Sequence, residues 1–328
     1  MTYFENPPQQ STPDHATKMR EHFLFSELPA QFNTQTASLR AVGLLESILK
    51  ENTPAVDELV IELQEGITGM DGRAYPLPSI EEITKHFSQE KYAEKISQGF
   101  TKLLIVPFAY PLATIRARYE QALIKHHKEG KLLDRDEKPL GLDTKRPLYF
   151  LEELNKSDET GDLIYYPTQL DTENHGGYTK QELLTAATAD AQLKSPFPGF
   201  HILLIKPDLT IPREGSGTTT KGRKDLEAGK SPKEYLNTIQ THPEHKYEQG
   251  TTLEDFITLA LTHLHETDRV LDDFTNNMDS FGYTIANLYK SSNLVPYSSW
   301  SRVNHWARVH GDGPWCRYER FGARSAVG

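Results

Sequence analysis

The sequence lacks the residue types and patterns that build disulfides, thiolate metal centres and membrane spans. Its 328 residues include one cysteine, Cys316, which excludes an internal disulfide and a metal site with two or four cysteines from this chain. No apolar run approaches the length that crosses a bilayer. The first residues have neither the basic start nor the apolar stretch of a secretion signal, so we expect synthesis in the cytoplasm.

The chain also lacks an excess of basic residues. Its formal net charge of −10 argues against a general nucleic-acid binder. A local basic stretch from Lys221 to Lys233 lies among glycines and threonines, and we predict that it is a solvated surface loop.

Hydrophobic periodicity indicates an α+β protein in which helices dominate the first half. We expect a polar, mobile arm over residues 1–16, a helix-rich region over 17–150, and a second domain over 151–328. The pattern predicts helices over 36–50, 79–87, 112–128 and 253–274, and strands over 103–108, 147–151, 163–166, 199–205 and 321–327. Capping boxes are expected at Ser79 to Glu82 and at Thr251 to Glu254.

Motifs that would carry catalysis or bind a cofactor are incomplete. Gly217 to Gly222 has the glycine spacing of a phosphate loop, but Arg and Lys follow where Lys and then Ser or Thr are needed. His263 and His265 point apart on a helix, and His242 and His245 are expected at the surface of a polar loop. No metal and no cofactor is therefore predicted.

Candidate acid–base and nucleophilic residues are also poorly placed. Neighbouring carboxylates such as Asp272 and Asp273, or Glu152 and Glu153, should face different ways. Cys316 has no identifiable base partner. We therefore predict no catalytic residue and expect that the protein is not an enzyme.

The segment from Tyr297 to Val327 is the most informative part of the chain. It holds all three tryptophans and the only cysteine. We expect five large or charged residues, called here the frame residues, to pack or to pair with carboxylates and carbonyls. The frame residues are Trp300, Arg302, Trp306, Trp315 and Arg317.

Nine residues between them share neither size nor polarity and are therefore predicted to bind ligand at the surface, not to fill a core. These slot residues are Ser299, Ser301, Val303, Asn304, His305, His310, Asp312, Cys316 and Tyr318. Each can be encoded by a codon of the form NNC. Lys, Glu, Gln and Met, which such codons cannot encode, are absent from Ser291 to Tyr318.

This segment resembles the variable region of the proteins that diversity-generating retroelements diversify. The resemblance rests on Pro296 to Trp300, Arg302, Trp306, Gly311, Trp315, Arg317 and the ending Phe321 to Val327. Residues 103–111, 211–215, 222–224, 248–250 and 253–256 are similar to segments of variable proteins from archaeal viruses and uncultivated microbes.

The resemblance implies a C-type lectin fold of the formylglycine-generating-enzyme-like subtype over residues 151–328, with a variable region over about 297–328. It also implies binding of a protein or cell-surface ligand, usually on a host, and display on a virion or cell surface. The calcium-binding motifs of sugar-binding lectins are missing, and one cysteine cannot supply the pair that the sulfatase-activating enzymes need. A divergent enzyme of this fold and a structural virion component are the alternatives.

Overall fold

The computed structural model describes residues 15–49, 63–189, 195–273 and 281–328. Helices and strands mix along the chain, so the protein belongs to the α+β class, as predicted. Most of the predicted arm lies outside the described residues, and residues 15 and 16 begin the first helix. The last residues of the helices predicted over 36–50 and 253–274 also lie outside them.

The α-helices of the described residues are numbered in chain order. They are α1 His15–His22, α2 Leu28–Ala41, α3 Ile80–Phe87, α4 Glu90–Ser97, α5 Leu112–Lys128, α6 Ser157–Thr160, α7 Lys180–Ala189, α8 Pro232–Thr241 and α9 Leu253–Thr267. A π-helical turn, Phe23–Glu27, joins α1 to α2, and short 3-10 turns cover Glu152–Leu154, Pro243–His245 and Lys290–Ser292.

The strands are short, and most of them pair over long sequence distances. They are β1 Glu46–Leu49, β2 Leu63–Thr68, β3 Ala74–Pro76, β4 Lys102–Val106, β5 Leu148–Phe150, β6 Leu163–Tyr165, β7 His201–Ile205, β8 Thr219–Thr220, β9 Arg223–Lys224, β10 Gln249–Gly250, β11 Phe281–Tyr283, β12 Asn287–Tyr289, β13 Val295–Ser301, β14 Trp306–Asp312, β15 Phe321–Ala323 and β16 Ser325–Ala326.

The largest sheet has five strands in the order β15-β11-β13-β14-β5. Its centre is the antiparallel hairpin of β13 and β14, which pair over seven positions from Val295 opposite Asp312 to Ser301 opposite Trp306. The two edge strands run parallel to their neighbours: β5 pairs with β14, and β15 pairs with β11. The C-terminal segment therefore forms the middle of this sheet.

One hydrophobic core contains side chains from both predicted regions. β4 pairs with β7 over five positions, so that Leu103 lies opposite Leu204, and both side chains are buried. The same core includes Leu39 from α2, Ile257 from α9 and Trp300 from β13. The helix-rich region and the C-terminal sheet thus pack together, and the division into domains at residue 150 stays a prediction.

Local sequence signals position several of the helices. Ser79 and Glu82 form the predicted capping box, in which each side chain bonds the other residue's backbone N–H. α5 covers the predicted residues 112–128. The box at α9 is shifted by one residue from the prediction, because Thr252 and Asp255 form it.

Two predicted helices are too long. The helix predicted over 36–50 ends at Ala41, and residues 46–49 form β1 instead. Gly43 adopts a left-handed φ of 71°, and the Leu44 N–H donates to the Leu39 carbonyl, which is a common way to end a helix. α9 ends at Thr267 because Asp268 takes a left-handed φ of 62°.

Candidate binding surface

The β13–β14 hairpin has one face in the core and one face toward solvent. Trp300 lies opposite Ala307, and both are buried together with Val309. Along β14 the buried residues alternate with half-buried ones, which are Trp306, Arg308, His310 and Asp312. Because residues directly opposite each other share a face, Ser301 lies on the same open face as Trp306.

Eight of the nine slot residues reach solvent. Val303, in the turn between the strands, is 88% exposed. Asn304, His305 and Tyr318 are also exposed, and Ser301, His310, Asp312 and Cys316 are half-buried. These residues lie on the open face of the hairpin, in its tip, and in the loop that follows β14.

Ser299 is the exception, because its predicted position at the surface is wrong. Its side chain shares the open face, but it is only 4% exposed. The Arg308 Nε donates to the Ser299 Oγ at 3.2 Å. The guanidinium of Arg308 also lies over the rings of Tyr297 and Phe281, at 5.3 and 5.6 Å from their centres, so the arginine covers the serine.

The hairpin tip is held by its backbone. His305 adopts a left-handed φ of 56°. Its carbonyl accepts a hydrogen bond of 2.7 Å from the Asp143 N–H. An added Cβ at Gly141 would lie 3.0 Å from the His305 Nδ1, so the segment before β5 packs closely against the tip. The tip side chains are thus exposed on a backbone that is anchored on one side.

Two frame residues behave as predicted. Trp300 is 2% exposed and belongs to the main core. Arg302 bonds the buried carboxylates of Asp273 and Asp134, at 2.6 and 2.8 Å. These contacts hold the pKa of Asp134 below its ordinary value, although its burial acts in the opposite direction. Asp272, next to Asp273, pairs instead with Arg324, so the two carboxylates do face different ways.

The prediction that Trp315 packs against the protein is wrong, because its side chain is 68% exposed. It lies in a tight turn in which the Cys316 N–H donates to the Gly313 carbonyl at 3.0 Å. Pro314 is buried in this turn, and the next side chain points to solvent. Trp315 therefore extends the open surface and does not support it from below.

Arg317 is hydrogen-bonded through its Nε, and the rest of its guanidinium is only loosely paired. Its Nε donates to the Gly229 carbonyl, while its terminal nitrogens lie 3.8 and 3.9 Å from carboxylate oxygens of Glu214 and Glu234. Its side chain stays about half exposed. It therefore pairs as predicted but also contributes charge to the surface.

Sequence reasoning missed two residues on this surface, Tyr149 and Arg146. β5 runs beside β14 with Tyr149 at the level of Arg308. The Tyr149 ring is stacked between Trp306 and His310, with centroids 5.9 Å from each. The Arg146 guanidinium lies 5.7 Å from the ring centres of Tyr149 and Trp306. Only the parallel pairing of β5 reveals this neighbourhood, since 150 or more residues separate the partners.

The loop after β14 places the Cys316 thiol in surroundings that disfavour its thiolate form. Burial and the neighbouring Asp312 carboxylate raise the pKa of its thiol above the ordinary value of 9.0. A thiol is reactive as the thiolate, which this environment disfavours. The Tyr318 hydroxyl lies in the same cluster, and its pKa is raised by the Asp312 charge.

In the basic and histidine-rich loops, the predicted surface position is wrong for Arg223 and His245, whereas Lys221, Lys224, Lys233 and His242 are exposed as predicted. Arg223 is buried and bonds Glu248 through two nitrogens, at 2.7 and 2.9 Å. His245 is also buried, with its Nδ1 3.0 Å from the same carboxylate. Lys95 adds a third partner at 2.8 Å, so one buried carboxylate gathers cations from distant parts of the chain.

The segment from Gly217 to Gly222 lies in the small β8–β9 hairpin, which no helix follows directly. Within the described residues, no group of three or more His, Cys, Asp or Glu side chains is arranged to hold a metal ion. None of the described helices combines the length and the apolar character that crossing a membrane requires.

Comparisons with protein-family models, with curated proteins and with solved structures find no match to this chain.

Proposed function

We propose that this protein is a hypervariable, non-enzymatic binding protein, diversified by a retroelement, which displays its slot residues on a C-type lectin fold. The observation that carries the proposal is the separation of side chains within one hairpin. Along β14 the slot residues His310 and Asp312 reach solvent, whereas the alternating residues Ala307, Val309 and Gly311 are buried.

This separation has an energetic reason. An exposed substitution usually changes the free energy of unfolding by less than about 0.5 kcal/mol, whereas a truncation in the core costs about 2–5 kcal/mol. Repeated substitution must therefore be restricted to exposed positions and must exclude the core. Val303 and Val309 illustrate the two classes on one hairpin, at 88% and 1% exposure.

The surface also has the composition of a recognition site. Tyr149, Trp306 and Trp315 provide rigid aromatic area, and Arg146 and Arg317 provide charge. Aromatic residues and arginine dominate binding hot spots. Ser, Asn, His and Tyr at the slots are residue types that adapt to many ligands. We propose a protein or cell-surface ligand, of the host if the chain is virus-borne.

The DNA next to the gene tests the diversification directly. We expect a near-copy of the bases that encode residues 297–328, which differs from the gene mainly at adenines, with a reverse-transcriptase gene nearby. The differing codons should be those of the slot residues other than Ser299, which is buried. A complete genome without such a copy would refute diversification by a retroelement.

A display library tests binding independently of the DNA. We would randomise Val303, Asn304, His305 and Tyr318 with NNC codons and select against hen egg lysozyme as an arbitrary protein target. A matched library would randomise the buried Ala307, Val309, Phe321 and Ala323. We expect folded, displayed binders from the first library and loss of display in the second. Equal display of both libraries, or no lysozyme binder from a well-displayed first library, would contradict the proposed role.

A further inference from the structure

A cavity of about 350 Å³ opens beside the start of β7, and its lining includes no slot or frame residue. Aromatic rings form much of its wall: Phe108, Tyr166, Tyr178, Phe197 and Phe200. Cavities that bind small molecules have volumes of about 300–1,000 Å³ and walls that are mostly apolar. The described lining contains no Lys, Arg, Asp or Glu side chain.

One polar group in the wall is held in a defined state. The His201 Nδ1 lies 2.8 Å from the Asp255 Oδ1, and the Asp255 side chain is completely buried. The second oxygen of Asp255 accepts the Thr252 N–H at 2.8 Å. A carboxylate can only accept here, so the His201 Nδ1 carries a proton and donates it to the Asp255 Oδ1.

The partner of Nε2 is the Tyr166 hydroxyl, at 3.2 Å. The Gln249 side chain, which also lines the cavity, is a second hydrogen-bonding neighbour of this hydroxyl. The Phe108 ring stacks on the imidazole with a centroid distance of 3.9 Å. The histidine is therefore fixed on one face by Phe108 and at both nitrogens by Asp255 and Tyr166.

The backbone at Tyr166, which positions this hydroxyl, is strained. Its φ is 51°, in the left-handed region that bulky residues rarely adopt. Its N–H donates to the Ala286 carbonyl at 2.8 Å, which holds the conformation. Strain of this kind persists where the surroundings enforce it, and it is concentrated at ligand-binding and catalytic sites.

We propose that this cavity binds a small neutral molecule with a flat aromatic ring and a hydrogen-bond donor such as an amide. The aromatic walls provide stacking and edge contacts for a ring. The Tyr166 hydroxyl and the Gln249 amide can exchange hydrogen bonds with an amide of the ligand. A charged ligand would lose its hydration without meeting a charged side chain among the described lining residues, so charge should weaken binding. The site does not depend on the function proposed for the hairpin surface.

Three probes of nearly equal shape test this proposal on the full chain. Benzamide is neutral, benzoate is an anion and benzamidine is a cation, and 2-naphthamide adds a larger neutral ring. Binding would be measured at pH 7.5 by saturation-transfer NMR and by titration of protein amide signals. We expect the two amides to bind at least about tenfold more tightly than either ion. Equal binding of the three small probes, or no binding of either amide at millimolar concentration, would overturn the proposal.

Two variants with matched controls localise the probe. Leu183→Trp should fill the cavity and abolish amide binding, whereas Leu49→Trp, at an exposed leucine, should not change it. Tyr166→Phe should weaken amide binding about five- to tenfold, and Tyr247→Phe, at an exposed tyrosine, should leave it unchanged. Circular dichroism and thermal unfolding confirm that each variant is folded. Amide binding that survives in a folded Leu183→Trp protein would place the probe elsewhere and refute the site.

Discussion

Arg302 and Asp273 form a two-armed ion pair, in which the Arg302 Nε lies 2.7 Å from Oδ1 and a terminal nitrogen lies 2.6 Å from Oδ2 of Asp273. The pair sits directly before the exposed hairpin tip, and Asp134 joins it from the segment between α5 and β5. Both carboxylates are buried. The arginine therefore neutralises two buried charges and fixes the position at which β13 ends.

Replacing Arg302 should be costly for stability. Arg302→Ala removes a shared cation from two buried carboxylates, and we expect the free energy of unfolding to fall by about 2–4 kcal/mol, reduced from the fully buried case because the arginine is partly exposed. Arg302→Lys keeps the charge but not the two-armed geometry and should recover part of the loss. Urea unfolding followed by circular dichroism measures both.

Arg317→Ala is the control for this prediction. Arg317 is more exposed, and its carboxylate contacts are 3.8 and 3.9 Å long, so we expect a loss of less than about 1 kcal/mol. Equal losses for Arg302→Ala and Arg317→Ala would show that the buried ion pair has no special role.

Two valines on one hairpin test the separation of display from packing. Val303→Ala should change the free energy of unfolding by less than about 0.5 kcal/mol, because its side chain is already in water. Val309→Ala should cost about 1.5–3 kcal/mol, because it removes buried methyl groups and leaves space behind. Denaturant titration of both variants measures the difference, and a large loss for Val303→Ala would argue that the tip is part of the core.

Two serines on the same open face should respond differently to a large side chain. Ser299→Tyr must displace the Arg308 guanidinium from its place over Tyr297, and we expect it to cost about 1–3 kcal/mol. Ser301→Tyr, at a half-buried position two residues further on, should cost less than about 0.5 kcal/mol. Thermal and urea unfolding would measure both. Tolerance of tyrosine at both positions would restore Ser299 to the ligand-binding set.

Lys95, Arg223 and His245 surround Glu248 and form with it the Glu248 cluster. This cluster predicts that acid destabilises the folded protein. Burial alone would raise the pKa of Glu248, but hydrogen bonds and charge from His245, Arg223 and Lys95 hold it well below the ordinary value of 4.5. The folded protein therefore binds fewer protons than the unfolded chain in this range. The stabilisation is complete above the unfolded pKa, and it is lost as the pH falls toward the folded pKa.

We expect the free energy of unfolding to decrease as the pH falls below about 5, and Glu248→Gln to make this decrease smaller. The same variant should be less stable at pH 7 by about 3–5 kcal/mol, because Lys95 stays buried without its carboxylate partner and Arg223 keeps only Asp225. Urea unfolding at a series of pH values measures both effects. Glu319→Gln, at an exposed side chain, is the control and should change neither. An unchanged acid slope in Glu248→Gln would contradict the assignment.

The sequence predicts those elements whose signals lie within a few residues of each other. The box at Ser79 and Glu82 locates the start of α3, and the apolar stripe of residues 112–128 gives α5. The helix predicted over 36–50 fails because its apolar spacing also fits a strand after a turn. Gly43 ends that helix, and a glycine at this position indicates a helix end in the sequence. The apolar periodicity, which continues past it, points to a longer helix.

The candidate surface was predictable in part, because residue types alone mark a mixed set of side chains between large ones. Burial of Ser299 depends on where Arg308 lies across the hairpin, and the contribution of Tyr149 depends on a parallel pairing about 160 residues away in sequence. The Glu248 cluster joins residues that are 25 and 153 positions apart. Contacts of this kind follow from the assembled fold and have no local pattern.

The left-handed backbone at His305 limits what a variable tip can accept. Glycine, asparagine, aspartate and histidine adopt this conformation readily, whereas valine, isoleucine and threonine pay a steric penalty there. Codons that encode both groups of residues equally often at position 305 would therefore produce many variants that fold poorly. If the proposed diversification occurs, the number of folded variants would therefore be smaller than the number of codon combinations, whatever the ligand.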